Sequence, residues 1–139
     1  MKDYVDTGKV RFGYFPFTFL GDESFWAAEA AECAGDQDAY WEFHDYLFSH
    51  QNGENQGAFS QDNLKQFAAD LDLDTKAFNE CFDSGKYSQL IQDQSQIASV
   101  IGVSSTPTFI LNGRGMQTLS FDDFKQAIEA IINPVTPTP

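Results

Sequence analysis

Between residues 22 and 101 apolar side chains return every three or four positions, the spacing of helices that bury one face. Phe25, Ala28 and Ala31 mark a first helix, with Glu32 on the same run, capped by Asp22 or Ser24 and stopped at Gly35. Tyr40, Phe43, Leu47 and Phe48 predict a second over about 37–50, and the Gly- and Asn-containing stretch 51–59 predicts a loop. Ser60 caps a third helix carrying Leu64, Phe67, Ala68 and Leu71 on one face. Asp74 caps a shorter fourth with Phe78, Cys81 and Phe82, closed by Gly85. A fifth, about 86–101, turns Leu90, Ile97, Ala98 and Ile101 inward and ends at Gly102.

The flanks read differently. Residues 1–8 are polar and end in Thr7-Gly8, the tail of a helix closed by a glycine. Val10, Phe12 and Tyr14 alternate as a strand would, and Pro16 ends it, so Val10–Tyr14 is expected to be extended and paired. Beyond Gly102, Thr108–Leu111 predicts a short buried strand, Asn112-Gly113-Arg114-Gly115 a turn, and Met116–Leu119 its antiparallel partner. Ser120 with Asp123 three residues on resembles a capping box, and the last helix places Phe121, Phe124, Ala127, Ile128 and Ile131 on one stripe. Residues 133–139 form a Pro/Thr tail with nothing to bury, expected to be flexible. Strand, helical block, strand, strand, helix is the order of an α/β or α+β domain with a helical insertion, and there is no internal repeat.

Composition narrows the function classes. The 139 residues suit one domain, and 42% apolar residues with 14 Phe, 5 Tyr and 2 Trp suffice for a core. The longest apolar runs are only a few residues, too short to enter a bilayer, and no basic-then-apolar leader is visible as a signal peptide. Formal net charge is -13, from 8 Lys+Arg against 21 Asp+Glu, which repels phosphate and argues against nucleic acid or anionic membrane partners.

Candidate chemistry is sparse. The two cysteines, Cys33 and Cys81, lie 48 residues apart, and neither belongs to a Cys-x-x-Cys. Cys33 falls near a helix C-terminus beside Glu32, and Cys81 between Glu80 and Asp83; dipole and charge both oppose a thiolate there. Three readings stand for the pair: a disulfide, two buried thiols acting as small hydrophobes, or a metal site with His44 and His50, whose spacing matches no zinc pattern. His44 and His50 also read as ordinary helix residues, the aromatic stretch 12–26 as core, and Asp122-Asp123 as the acidic first turn of a helix. Neither a nucleophile elbow nor a phosphate loop occurs, and no cofactor is implied. Thr106-Pro107 ahead of a short strand is the most informative motif left; an X-Pro bond there is either an ordinary trans linkage or a fixed cis turn.

Three segments resemble one family. Ala28-Glu29-Ala30-Ala31-Glu32-Cys33-Ala34 followed by Tyr40-Trp41-Glu42-Phe43-His44-Asp45-Tyr46-Leu47-Phe48 is similar to the first insertion helices of bacterial DsbA-like thiol:disulfide oxidoreductases. Phe78 to Tyr87 resembles that family's later insertion segment, and Gly102 to Gly113 its proline loop and third strand. The resemblance runs from about residue 4 to 132. It implies an α/β, thioredoxin-like domain over 1–132 with a helical insertion at about 22–102, from which the first strand and most of the first helix, and with them the reactive Cys-x-x-Cys, are missing. It further implies a structural Cys33–Cys81 disulfide, a cis Pro107, and a Thr106 backbone that pairs with an extended substrate. The partners implied are polypeptides bearing thiols or disulfides, in an extracytoplasmic setting. An unpaired sheet edge would be met either by Val10–Tyr14 pairing directly with Thr108–Leu111 or by a homodimer through the exposed edge. The expected function is thus that of the oxidoreductase family in a chain inactive as written; the alternative is a non-catalytic module that binds peptides or a partner.

Overall fold

A computed structural model describes residues 3–116 and 120–134. They fall into two compact units: Phe15–Gly102, and the chain ends Met1–Tyr14 with Val103–Pro139.

The first unit holds five helices, α1 (Asp22–Gly35), α2 (Tyr40–Ser49), α3 (Gln61–Asp70), α4 (Thr75–Asp83) and α5 (Ser88–Val100). Two starts are as local chemistry dictates. Ser60 Oγ accepts from Asn63 N, and one carboxylate oxygen of Asp74 accepts from Lys76 N and Ala77 N, satisfying amide donors that a helix start leaves open. The first helix instead begins after Gly21, with no side-chain cap. Gly21 has φ 116°, and a Cβ there would lie 2.7 Å from the Asn55 side chain, whose amide donates to the Leu20 carbonyl. α2 begins at Tyr40 rather than near residue 37, because Asp38 turns left-handed (φ 60°) and Ala39 N bonds back to Ala34 O. The Gln37 side chain then clamps the Asp74 backbone, accepting from its N at 2.8 Å and donating to its O at 3.2 Å.

Phe43, Leu64, Ala68 and Phe78 pack with Ala30 and Ala34 into the core of this unit, all fully buried. Of the four residues expected to face inward on α5, only Ala98 does so. Ile91 and Ala98 are buried, whereas Leu90, Ile97 and Ile101 are exposed. Ser88 at the head of this helix donates to the buried carboxylate of Glu29 on α1, on the same face of α5 as the buried Ile91.

A second buried carboxylate, Glu23, ties the 51–59 loop to the start of α1: one oxygen accepts from Gly57 N at 2.7 Å and the other from Phe59 N at 2.9 Å. Hydrogen bonds to charged groups are worth about 1.5–3 kcal/mol. Glu23→Ala is therefore expected to lower unfolding stability by about 2 kcal/mol in urea titration, with Glu23→Gln recovering part of it. A loss near zero for the alanine variant would refute the anchoring role.

In the second unit, residues 3–8 form a turn closed by Gly8 (φ 74°), with Lys9 N and Val10 N both bonded to Tyr4 O. No strand forms over Val10–Tyr14, and none pairs with Thr108–Leu111; the amide of Val10 returns to the preceding turn rather than to a neighbouring strand. The sheet among the described residues is one antiparallel hairpin, β1 (Ile110–Leu111) with β2 (Arg114–Gly115), in register Ile110↔Gly115 and Leu111↔Arg114. Its turn is two residues, not four: Asn112 (φ 48°) and Gly113 (φ 80°) both take the left-handed conformation that a tight hairpin demands. Arg114 and Gly115 consequently belong to the strand, Met116 N closes on Phe109 O, and the rest of the expected partner, 117–119, lies outside the described residues.

The last helix, α6 (Phe121–Ile132), is capped by Ser120 Oγ accepting from Asp123 N at 3.2 Å. None of its residues is fully buried, and Phe121 and Ile131 are exposed. Of the expected tail, Asn133 and Pro134 are described and 135–139 lie outside the described residues.

Candidate functional site

Thr106-Pro107 sits at the entry to the hairpin. The peptide bond is cis, both residues are exposed, and Thr108 Oγ1 donates to Ser105 O at 2.6 Å across the bend. Immediately after it, Phe109 seats the hairpin on α6 by an edge-to-face contact with Phe124, ring centroids 4.7 Å apart. At the other end of α6, Tyr4 donates its hydroxyl to Glu129 at 2.7 Å, joining the N-terminal turn to the helix. Glu129 also accepts from Asn133, and these two donors hold its carboxyl below the usual range. An exposed backbone turn is thus carried on a short strand with a helix behind it, an arrangement that can offer main-chain groups to an extended polypeptide.

The two sulfurs are placed quite differently. Cys33 on α1 and Cys81 on α4 are bonded to each other, S–S 2.01 Å with Cα atoms 5.8 Å apart, and both lie in the core. A ring of polar contacts flanks the bridge that sequence patterning did not reveal. Asp36 accepts from Lys86 Nζ and from the Tyr87 hydroxyl, both at 2.6 Å, and Lys86 lies over the Tyr87 ring. The lysine and then the tyrosine hold the Asp36 carboxyl low, while its charge holds the Lys86 ammonium high. Burial, seconded by Asp36, pushes Glu32 up. The only signal for the two buried glutamates was their spacing, Glu29 four residues before Cys33 and Glu23 seven before Ala30, on the inward side of one helix.

The histidines join neither place. His44 Nδ1 meets Asp45 at 3.0 Å, and its ring packs edge-on against Trp41; His50 Nδ1 meets Tyr46 O at 2.8 Å while its ring stacks on Tyr46. With the cysteines bonded to each other, the four residues considered for a metal do not assemble, and among the described residues no three His, Cys, Asp or Glu could hold one. An open cleft of about 340 Å³ lies between the start of α1 and the 51–59 loop, lined by Leu20, Glu23, Gln51 and Asn55 among others. Its two best-placed polar groups are already engaged, Glu23 by Gly57 and Phe59, and Asn55 by Leu20. No helix among the described residues is long and apolar enough to cross a membrane.

Comparison with known proteins places this arrangement. Residues 1–130 match the thioredoxin family model. The chain is 26% identical over 132 residues to disulfide bond formation protein D of Bacillus subtilis, covering 92% of this chain and 60% of that protein. It is 40% identical over 101 residues to the Na(+)/H(+) antiporter NhaA 1 of Salinispora arenicola, covering 73% of this chain but 15% of the antiporter. The structure of oxidised BdbD from Bacillus subtilis superposes with a TM-score of 0.83 at 25% identity, over 94% of this chain and 73% of that one. The chain therefore spans less than two thirds of these curated relatives, and its thioredoxin-like fold matches that of BdbD. With family profile and fold in agreement, this chain belongs to the thioredoxin superfamily and shares the DsbA-like fold of BdbD.

Proposed function

We propose that this chain supplies the polypeptide-recognising part of a DsbA-like thiol:disulfide oxidoreductase, acting on protein thiols or disulfides outside the cytoplasm. One observation carries the reading: the exposed Thr106-Pro107 turn opens onto a short strand, while both sulfurs of the sequence are joined to each other in the core. An extended segment added alongside Thr106 would gain main-chain hydrogen bonds and little sequence specificity, as an enzyme with many clients requires. Exchange itself needs an accessible thiolate at a helix start, and Cys33 and Cys81 offer none. A buried disulfide accords with an oxidising compartment, and the likeness to disulfide bond formation protein D supports the substrate class. In the two-stranded sheet β1 has no neighbour on its outer side among the described residues, which leaves this edge open to a second copy as well.

The test measures binding of a labelled, cysteine-free extended peptide by fluorescence anisotropy, with insulin reduction followed in parallel. Thr106→Pro removes the amide donor and is expected to weaken binding about fivefold to tenfold, the worth of one hydrogen bond, whereas Thr106→Val retains it. Turnover of insulin by the chain as written would overturn the binding-only assignment. Equal affinity of both variants would overturn the role of Thr106.

The antiporter match favours a second reading. A thioredoxin-like module similar to a stretch of a much larger protein, at higher identity than to the disulfide-forming relatives, fits a non-catalytic domain that binds a peptide or partner.

A further inference from the structure

The charge of this chain is divided unequally. Of the 21 acidic and 8 basic residues, five acidic (Asp3, Asp6, Asp122, Asp123, Glu129) and five basic (Lys2, Lys9, Arg11, Arg114, Lys125) belong to the unit that carries Thr106-Pro107. That unit is formally neutral. The remaining 16 acids and 3 lysines lie in Phe15–Gly102, so the helical unit bears the entire net charge of -13. Its lysines are each held by a carboxylate of the same unit: Lys65 by Asp83 at 2.6 Å, Lys76 by Glu80 at 3.8 Å and Lys86 by Asp36 at 2.6 Å. Ten further acidic side chains there are exposed to water, distributed over its helices and loops rather than gathered in one place.

From this division we infer that the polypeptides the Thr106-Pro107 turn selects are cationic, drawn to it by the field of the adjoining helical unit. The inference rests on the peptide-binding role proposed above and adds to it the chemistry of the client. Thr106 follows Gly102, the last residue of the helical unit, by four residues, so the turn is tethered to that unit by a short stretch of chain. The screening length is about 8 Å at physiological salt and about 30 Å at 10 mM, so the field extends to the turn at low salt and is cut back as salt rises. Attraction of this kind acts on the rate of encounter, raising it for a ligand of opposite sign by about 10-fold or more, and repels anionic segments. The recognition unit, with five acidic and five basic residues, adds no net charge of its own to that field.

The experiment uses the full chain and three labelled, cysteine-free extended peptides of equal length and apolar content, one lysine-rich, one uncharged and one glutamate-rich. Association rates are measured by stopped-flow anisotropy at about 10 mM and about 1 M salt, where the screening length is about 30 and 3 Å. The lysine-rich peptide is expected to associate at least about tenfold faster than the glutamate-rich one at low salt, with the difference gone at high salt. The triple variant Asp38→Asn, Glu54→Gln, Asp72→Asn, which alters exposed acids far in sequence from the turn, is expected to narrow that ratio while leaving the uncharged peptide unaffected. Equal rates for the three peptides at low salt would overturn the electrostatic selection and leave peptide binding standing. Failure of every peptide to bind at either salt would overturn the binding role itself, and this inference with it.

Discussion

Replacing both bridged cysteines, Cys33→Ala with Cys81→Ala, is expected to remove about 4 kcal/mol of unfolding stability, the chain-entropy value for a loop of this length. The bridge spans 48 residues, running from α1 through α2 and α3 to α4, so without it the unfolded chain regains the freedom of most of the helical unit. Burial adds to the effect: Cys33 is 1% exposed, and alanine there leaves a small void among Ala30, Ala34 and their neighbours. The Asp36–Lys86–Tyr87 contacts stand beside the bridge and survive its removal, which keeps the folded state recognisable and makes the measurement feasible. Urea unfolding of the double variant against the oxidised parent reads the difference directly. Since small domains are stable by only about 5–15 kcal/mol, the loss is a large share of the total and moves the unfolding midpoint well within measurement. A loss below about 1 kcal/mol would mean that the helical packing holds α1 and α4 together unaided.

Phe78→Ala is the second large effect, expected at about 4 kcal/mol. The Phe78 ring is fully buried, lies against Phe43 with centroids 5.5 Å apart and planes at 26°, and meets Phe82 at 5.9 Å. Truncation removes the transfer energy of the ring and leaves a cavity that three helices would have to shift to close. Phe78→Leu should cost far less, about 1.5 kcal/mol, because most of the volume is kept. Phe48 provides the contrast: it shares the helical spacing of the core residues but is 56% exposed, and Phe48→Ala should fall within about 0.5 kcal/mol of the parent. Denaturant midpoints for the three variants test the order, and equal losses at 78 and 48 would contradict the assignment of the core.

Much of the fold could be read directly from short stretches of residues. The caps at Ser60, Asp74 and Ser120 were legible because a hydroxyl or carboxylate satisfies amides two or three residues away, whatever the rest of the chain does. The hairpin was legible in Asn112-Gly113 for the same reason, though its turn proved two residues tighter than expected. The helical insertion showed in the periodicity of residues 22–101. The Thr106-Pro107 turn was singled out by its place before a strand and by resemblance; the exposure it has in the fold is a structural finding.

Choices between equivalent local patterns were not legible. On α5, Leu90, Ile97 and Ile101 make one apolar stripe, and Ile91 with Ala98 makes its neighbour about 100° around the helix. Both satisfy helical spacing, and contacts with another helix, the bond from Ser88 to Glu29 among them, accompany burial of the second. Val10–Tyr14 alternates like a strand, but a strand exists only where another backbone offers it hydrogen bonds, and here the amide of Val10 finds Tyr4 instead. The joining of Cys33 to Cys81 likewise depends on α1 and α4 meeting, 48 residues apart in sequence. By itself the order of the amino acids determined where helices start and stop, where the chain reverses and how much charge it carries. The tertiary structure alone decided which face of each helix is dry, which buried carboxylate holds which loop and where the two sulfurs meet, because those outcomes depend on partners that no local run of residues contains.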